Sequence, residues 1–276
     1  MALPFPQIDP VLIQIGPLAI RWYALAYIVG ILAAWRYASA LVDRADLWTK
    51  RGPPVDKPGL EDLVLWITLG IIAGGRLGHV LFYTPGILLS DPMEVLRVWN
   101  GGMSFHGGCL GVLVAVGLFV RRKGLDLFSV GDLVCAVVPI GLFLGRIANF
   151  INGELWGRPT DLPWAMVFPA AGPEPRHPSQ IYEALLEGVL LFLVLRWATH
   201  KRRWLGRPGV VAGIFFAGYG LFRILVEMVR EPDIYMPAFP MGVTMGMLLS
   251  LPMVIFGVWL IRRRPAQGDR AGDRAP

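Results

Sequence analysis

The sequence contains seven continuous runs of apolar residues, each close to the ~20 residues that a helix needs to cross the hydrocarbon core of a bilayer. The runs cover residues 17–40, 60–83, 103–120, 129–151, 179–199, 208–228 and 240–261. Transmembrane barrels have shorter strands in which apolar and polar residues alternate, so continuous runs disfavour a barrel. The pattern predicts an all-α integral membrane protein with seven transmembrane helices.

The composition supports this prediction and excludes other classes of protein. Of the 276 residues, 55% are hydrophobic and only 17% are charged, a balance that is unusual for a water-soluble domain. Both cysteines fall inside predicted spans, and the four histidines show no metal-ligand spacing. We therefore expect no disulfide framework, no metal site and no cofactor.

The basic residues predict the orientation of the chain. Four stretches, residues 42–58, 121–128, 200–207 and the C-terminus, hold 16 of the 26 Lys and Arg residues. The N-terminus and the other three loops hold only four. Because cytoplasmic loops carry the excess of Lys and Arg, we expect a periplasmic N-terminus and a cytoplasmic C-terminus. The net charge of +6 is then mainly a topology signal, and it implies no nucleic-acid partner.

The same boundaries predict the domain organisation. We expect one catalytic transmembrane domain over residues 1–262, with a small outer segment at residues 152–178. Residues 263–276 are polar and are expected to form a disordered cytoplasmic tail.

Six arginines fall inside the predicted spans. Three of them, Arg76, Arg146 and Arg223, are not easily explained as side chains that extend to the membrane interface. A guanidinium inside the bilayer costs at least ~2.5–3.5 kcal/mol on insertion scales, so these side chains should face the helix bundle and have partners. The other three, which include Arg196, can extend to the membrane interface.

The partners expected for these arginines are acidic residues on the fifth and sixth runs. Glu183 and Glu187 lie one helical turn apart, and we interpret them mainly as structural counter-ions. On the sixth run, residues spaced four, four and three apart form one helical stripe. This stripe consists of Tyr219, Arg223, Glu227 and Arg230. An Arg223–Glu227 pair could also be purely structural.

The stretch "GRIANFINGELWG", residues 145–157, places Arg146 and Asn149 on one face of the fourth span. Gly153 and Gly157 flank Glu154, which predicts a tight turn in place of further helix. The alternative is a simple interfacial loop with polar side chains that reach the membrane surface. His106 lies in the glycine-rich stretch "NGGMSFHGG" at the outer start of the third span; a packing role and a catalytic role are equally open for it.

Taken by depth, Arg76, His106 and Arg146 lie in the outer half of their spans and Arg223 lies deeper. Together they predict a cationic cavity that opens toward the outer leaflet. Two arginines in a site of low dielectric can bind a phosphate through bidentate, charge-assisted hydrogen bonds. A lipid headgroup is the phosphate available at that depth.

These residues carry a resemblance to a known family. "GRIANFINGELWG" resembles the signature of the bacterial prolipoprotein diacylglyceryl transferases. Further family segments resemble "RWYALAY" (21–27), "GGRLGHVLFY" (74–83), "GGMSFHGG" (101–108), "RHPSQIYEALLEG" (176–188) and "GYGLFRILVE" (218–227), in the same order. The sequence departs from the family pattern at Ala24, His79 and Ala148, and its outer segment at 158–176 is shorter than in some members.

The resemblance implies an enzyme of the bacterial inner membrane with its active site toward the outer leaflet. It would move the diacylglyceryl group of phosphatidylglycerol to the lipobox cysteine in the signal peptide of a preprolipoprotein. The products would be a thioether-linked lipid and glycerol 1-phosphate. The resemblance also implies functional residues by position. They are Tyr23, His106, Arg146, Asn149, Glu154, Gly157, Tyr219 and Arg223.

Within this scheme we expect Arg146 and Arg223 to stabilise the leaving phosphate, and His106 to accept the proton of the thiol. Tyr23 is expected to take part in catalysis as a hydrogen-bond donor. Phosphatidylglycerol contacts are expected from Arg146, Asn149, Glu154, Gly157, Tyr219, Arg223 and Arg76, and structural ion pairs from Glu183, Glu187 and Glu227.

Two other functions remain open from the residues alone. Intramembrane charges also mark transport pathways, so a transporter or flippase for an anionic or phospholipid substrate is one alternative. A metal-dependent phosphotransferase is the other, but it would need clustered aspartates, and only Asp132 lies within a predicted span.

Overall fold

The computed structural model describes residues 3–16, 18–232 and 242–263. The α-helices are α1 (Trp22–Val42), α2 (Lys57–Phe82), α3 (Ile87–Ser90), α4 (Phe105–Lys123), α5 (Leu127–Ile151), α6 (Ser179–Glu183), α7 (Leu191–His200), α8 (Val210–Glu227) and α9 (Met245–Arg262). The strands are β1 (Leu3–Pro4), β2 (Val11–Ile15), β3 (Leu18–Arg21) and β4 (Met166–Val167).

Within the described ranges, six helices are long and apolar enough to cross a membrane, namely α1, α2, α4, α5, α8 and α9. The prediction of a mainly helical membrane protein is therefore confirmed. The fifth apolar run is also helical, but it is divided into α6, a π-helical stretch (Ala184–Leu190) and α7. The predicted starts of the first and last spans, at 17 and 240, and the tail from 264 onward lie outside the described residues.

The first predicted span was placed too early, because the chain before α1 is not helical. Residues 18–21, which were expected to be helical, form β3 and pair with β2 in an antiparallel hairpin. The hairpin turns at Gly16, whose φ of 58° is in the left-handed region that favours glycine. In addition, β1 pairs in parallel with β4, which lies between α5 and α6, through Leu3 and Met166. The first long helix therefore begins at Trp22.

The chain divides into two compact units, one formed by Met1–Arg51 with Asp132–Pro276 and the other by Gly52–Gly131. In the second unit, α2 and α4 pack at backbone distance through glycines; a Cβ on Gly70 would lie 2.6 Å from the carbonyl oxygen of Gly111. Side-chain oxygens of Asp56 and Ser104 cap the first turns of α2 and α4. The expected single domain over 1–262 stays a prediction.

In the first unit, α8 and α9 approach closely for the same reason. A Cβ on Gly220 would lie 2.9 Å from the carbonyl oxygen of Ser250, and one on Gly213 would lie 2.8 Å from that of Gly257. Thr244 caps α9 by accepting the N–H of Met247 at 3.2 Å. This packing fixes the face of α8 on which Tyr219, Arg223 and Glu227 lie.

Candidate active site

Two arginines from different helices meet at one buried carboxylate. Arg146 lies on α5 and Arg223 on α8, and Glu183 is the last residue of α6. Oε1 of Glu183 accepts a hydrogen bond from Nη1 of Arg223, and its Oε2 lies 3.4 Å from Nη1 of Arg146. The two guanidinium groups therefore converge on one point in the unit.

Two further carboxylates complete this arrangement. Oε2 of Glu187, in the π-helical stretch, accepts a hydrogen bond from Nη2 of Arg146 at 3.2 Å. Glu227 pairs with Nη2 of Arg223, and it also binds Nη1 of Arg230 at 3.3 Å and the hydroxyl of Thr244 at 2.6 Å. We call the six ionisable residues the charge cluster: Arg146, Arg223, Arg230, Glu183, Glu187 and Glu227. Three positive and three negative groups make its formal charge zero.

The arginines and the glutamates of the charge cluster differ in exposure. The side chains of Arg146 and Arg223 are 15% and 13% exposed, whereas those of Glu183 and Glu187 are 0% exposed. A guanidinium has five N–H donors, so an arginine can bind a buried carboxylate and still offer donors elsewhere. The arginines thus form the accessible side of the cluster, and the carboxylates form its buried side.

The π-helical stretch places Glu187 against α5. A Cβ on Gly188 would lie 2.6 Å from Cβ of Phe143, so this position has room only for glycine. The close approach brings Glu187 to Arg146, which lies one helical turn beyond Phe143. A π-helical turn within an otherwise α-helical element is often found at functional sites.

A second group of polar side chains lies one turn further along α5. Nδ2 of Asn149 donates to Oε1 of Glu154 at 2.8 Å, and the hydroxyl of Tyr23 donates to the same oxygen. Asn149 also contacts that hydroxyl directly. The backbone carbonyl of Glu154 accepts a hydrogen bond from Nε2 of Gln180 at 2.5 Å. We call Tyr23, Asn149 and Glu154 the polar trio.

The turn predicted in "NGELWG" follows α5 directly. Gly153 and Leu155 have φ values of 64° and 58°, and the N–H of Glu154 returns to the carbonyl of Asn149 at 3.2 Å. The turn therefore folds the Glu154 side chain back toward α5 and Tyr23.

Gly157 lies where three backbone segments meet. Its N–H donates to the carbonyl of His177 at 2.8 Å. A Cβ at this position would lie 2.5 Å from Cβ of His177 and 2.6 Å from the carbonyl oxygen of Val229. Close backbone approach thus accounts for a glycine here. The His177 imidazole lies in the segment between α5 and α6, and burial lowers its pKa below the ordinary value.

Tyr219 lies on α8 one turn before Arg223, as its spacing predicted, and its ring stacks on Phe215 with a centroid distance of 5.9 Å. The side chains expected on one stripe of α8 are therefore on the side of the helix that carries the charge cluster.

The remaining two candidates, Arg76 and His106, belong to the second unit. Arg76 is buried, and its guanidinium donates to the carbonyls of Val95 and Gly101 and to Oε1 of Glu94 at 3.1 Å. Arg76 thus holds the segment between α2 and α4 in place. His106 is exposed in the first turn of α4, and its ring packs edge-to-face on Phe105.

Sequence reasoning missed Thr244, and it gave no role to Gln180 or Arg230. Gln180 and Arg230 share helical faces with predicted site residues, and this spacing was the available signal for them. Thr244 is separated from Glu227 by 17 positions, and only the packing of α9 on α8 brings them together.

The chain is similar in sequence to known proteins. The profile of a family described as prolipoprotein diacylglyceryl transferase matches residues 10–263. A protein of Phenylobacterium zucineum (strain HLK1), named phosphatidylglycerol--prolipoprotein diacylglyceryl transferase, is 60% identical over 272 residues, which cover 95% of this chain and 94% of the relative. Relatives of the same name from Rhizobium meliloti (strain 1021) and Caulobacter sp. (strain K31) are 54% and 52% identical and cover 95% and 99% of this chain, and 94% and 99% of their own lengths. The chain therefore belongs to the prolipoprotein diacylglyceryl transferase family.

Proposed function

We propose that this chain transfers the diacylglyceryl group of phosphatidylglycerol to the lipobox cysteine of a preprolipoprotein, with release of glycerol 1-phosphate. Family membership and the names of the relatives support the reaction. The structural observation that carries the proposal is the convergence of Arg146 and Arg223 on Glu183.

Arg146 and Arg223 form the phosphate clamp in this proposal. The phosphodiester of the lipid binds N–H donors on the accessible side of the charge cluster, while the glutamates keep the guanidinium groups in position from the buried side. During transfer the S–C bond forms and the C–O bond to phosphate breaks, so the leaving phosphate monoester gains negative charge. Two fixed guanidinium groups stabilise that charge without reorganisation.

The thiol of the substrate needs to lose its proton, because a free cysteine with a pKa of ~8.5 is mostly protonated at neutral pH. His106 is assigned as the base, and the proton finally leaves on the glycerol 1-phosphate. The contacts of Arg76 favour a role in holding residues 94–102, and we therefore leave it out of the clamp.

The polar trio is assigned to the glycerol headgroup. Glu154 and Asn149 offer carboxylate and amide groups one helical turn from Arg146, where a hydroxyl next to the bound phosphate would lie. Tyr23 fixes the Glu154 carboxylate by its hydrogen bond. Gly157 lets three backbone segments meet next to this site. Tyr219 contributes a ring that packs on Phe215.

The proposed architecture has seven crossings of the bacterial inner membrane, with the N-terminus periplasmic and the site toward the outer leaflet. Six long apolar helices support it, as does the unbroken helical stretch over residues 179–200. At 1.5 Å per residue this stretch is about 33 Å long, enough for a hydrocarbon core of about 30 Å. The distribution of Lys and Arg supports the orientation.

The experiment that tests the function uses the purified protein, phosphatidylglycerol and a synthetic lipobox peptide, followed by mass spectrometry of the peptide. We expect a gain equal to one diacylglyceryl group, dependent on phosphatidylglycerol and absent with phosphatidylethanolamine. A cysteine-to-serine peptide is the matched control. An unmodified peptide together with lipid movement in proteoliposomes would contradict the proposal and favour a flippase.

A further inference from the structure

Asp132 connects the two helices that carry the proposed clamp. This residue is on α5 and is 0% exposed. Its Oδ2 accepts the backbone N–H of Gly209 and its Oδ1 that of Ala212, both at 2.7 Å. Both acceptors of one carboxylate are thus used by the first turn of α8.

The first turn of α8 lacks a cap of its own. The first N–H groups of a helix have no partner inside the helix, and the N-cap of α8 is Gly209, which has a φ of 92° and no side chain to supply one. Asp132 provides the missing acceptors from a different helix. Its negative charge also suits the positive end of the helix dipole.

The contact sets the axial register of α8 against α5. Arg146 follows Asp132 by fourteen residues on α5, and Arg223 follows Gly209 by fourteen residues on α8. At 1.5 Å per residue, each arginine lies about 21 Å along its helix from the shared contact. Both arginines then reach Glu183. The two helices therefore run in the same direction, and on each helix the Asp132 contact and the arginine are the same distance apart.

We propose that Asp132 is a positioning residue for the transfer, because its contact places Arg223 level with Arg146. This role rests on the proposed function. A slip of α8 by one residue would move Arg223 by about 1.5 Å and turn it by about 100°. A misplacement of about 1 Å can cost about 10²-fold in rate. An asparagine has a single acceptor oxygen, so only a carboxylate can receive both N–H groups in the same way.

The experiment measures transfer by Asp132→Asn and Asp132→Ala, with kcat calculated per folded molecule. Asp126→Ala is the matched control. Oδ2 of Asp126 also accepts a backbone N–H in the first turn of a helix, that of Ser129 at 2.8 Å, but the helix is α5 and not α8. We expect kcat to fall about 10²-fold for Asp132→Ala and less for Asp132→Asn, with near-normal kcat for the control. A kcat per folded molecule that is unchanged in Asp132→Asn would overturn the proposal, including when Asp132→Ala does not fold.

A double-mutant cycle with Arg223→Lys separates positioning from simple stabilisation. If Asp132 acts through Arg223, then Asp132→Asn costs much less in the Arg223→Lys background than in the wild type. Equal costs in both backgrounds would show that Asp132 only stabilises the fold. A wild-type protein that does not modify the peptide would instead refute the proposed function and, with it, this role.

Discussion

Nη2 of Arg146 donates a hydrogen bond to Oε2 of Glu187 at 3.2 Å, and the Glu187 side chain has no exposed surface. The arginine that we assign to the lipid phosphate is therefore neutralised before any lipid binds. The phosphate must therefore share Arg146 with this partner, so binding adds an anion to a cluster whose formal charge is zero.

Glu187→Gln tests whether the phosphate and Glu187 share Arg146. Removing one partner of a buried ion pair costs up to about 3–5 kcal/mol, and we expect the lower end because Arg146 keeps Glu183. The variant should melt at a lower temperature without lipid and recover more stability than the wild type when phosphatidylglycerol is added, since the phosphate supplies the missing charge. Thermal unfolding with phosphatidylglycerol and with phosphatidylethanolamine measures this, and the exposed Glu61→Gln is the control. An equal recovery in variant and wild type would show that the phosphate does not replace Glu187.

Tyr23→Phe tests the polar trio. The variant removes one hydrogen bond to the Glu154 carboxylate, and such bonds to charged groups contribute about 1.5–3 kcal/mol. We expect the transfer rate to fall by roughly 10- to 100-fold while the protein stays folded. Steady-state transfer rates measure the effect, with the exposed Tyr83→Phe as the control. A wild-type rate would mean that the orientation of Glu154 does not matter for transfer.

His106→Gln tests the assignment of the base. General base catalysis contributes about 10²–10⁴-fold to rates, so we expect a loss of that size in kcat. The exposed position of His106 in α4 makes a folding defect an unexpected outcome. The control is His200→Gln. Retention of most of the activity by His106→Gln would remove His106 from the mechanism.

The stability of residues 157–178 should depend on pH through His177. Burial lowers the pKa of this imidazole, so the folded state favours the neutral form. The stability from this group is complete above the unfolded pKa of about 6.5 and is lost as the pH falls through the lower folded value. Protection factors for amide hydrogen exchange over residues 157–178, which correct for the slower intrinsic exchange in acid, should be lower at about pH 5 than at about pH 7.5. The His177→Gln variant should lose this pH dependence, and an unchanged dependence would assign it to other groups.

The long helices could be predicted because an apolar run of about 20 residues has few possible structures other than a transmembrane helix. The prediction failed before Trp22, where an equally apolar sequence forms a hairpin, since hydropathy alone does not show that Gly16 reverses the chain. It also could not show the π-helical stretch, which depends on the close contact of Gly188 with Phe143.

Candidate site residues could be predicted because a charged side chain inside a membrane is energetically costly and usually has a partner or a function. The sharing of Glu183 by two arginines could not, since it depends on how three helices pack. Nor could the sequence distinguish Arg223, which pairs with buried carboxylates, from Arg76, which binds backbone carbonyls of its own unit. The sequence shows Asp132 only as an isolated charge in a predicted span, because its partners are 77 and 80 positions away.

The phosphate clamp is tested by the transfer activity of Arg146→Ala and Arg223→Ala on phosphatidylglycerol and a lipobox peptide. Loss of one group that stabilises a developing charge typically costs about 10²–10³-fold in kcat. We predict at least that loss for each variant, with the protein still inserted in the membrane, and near-normal activity for the exposed Arg196→Ala. Near-normal transfer by either Arg146→Ala or Arg223→Ala would contradict the phosphate clamp.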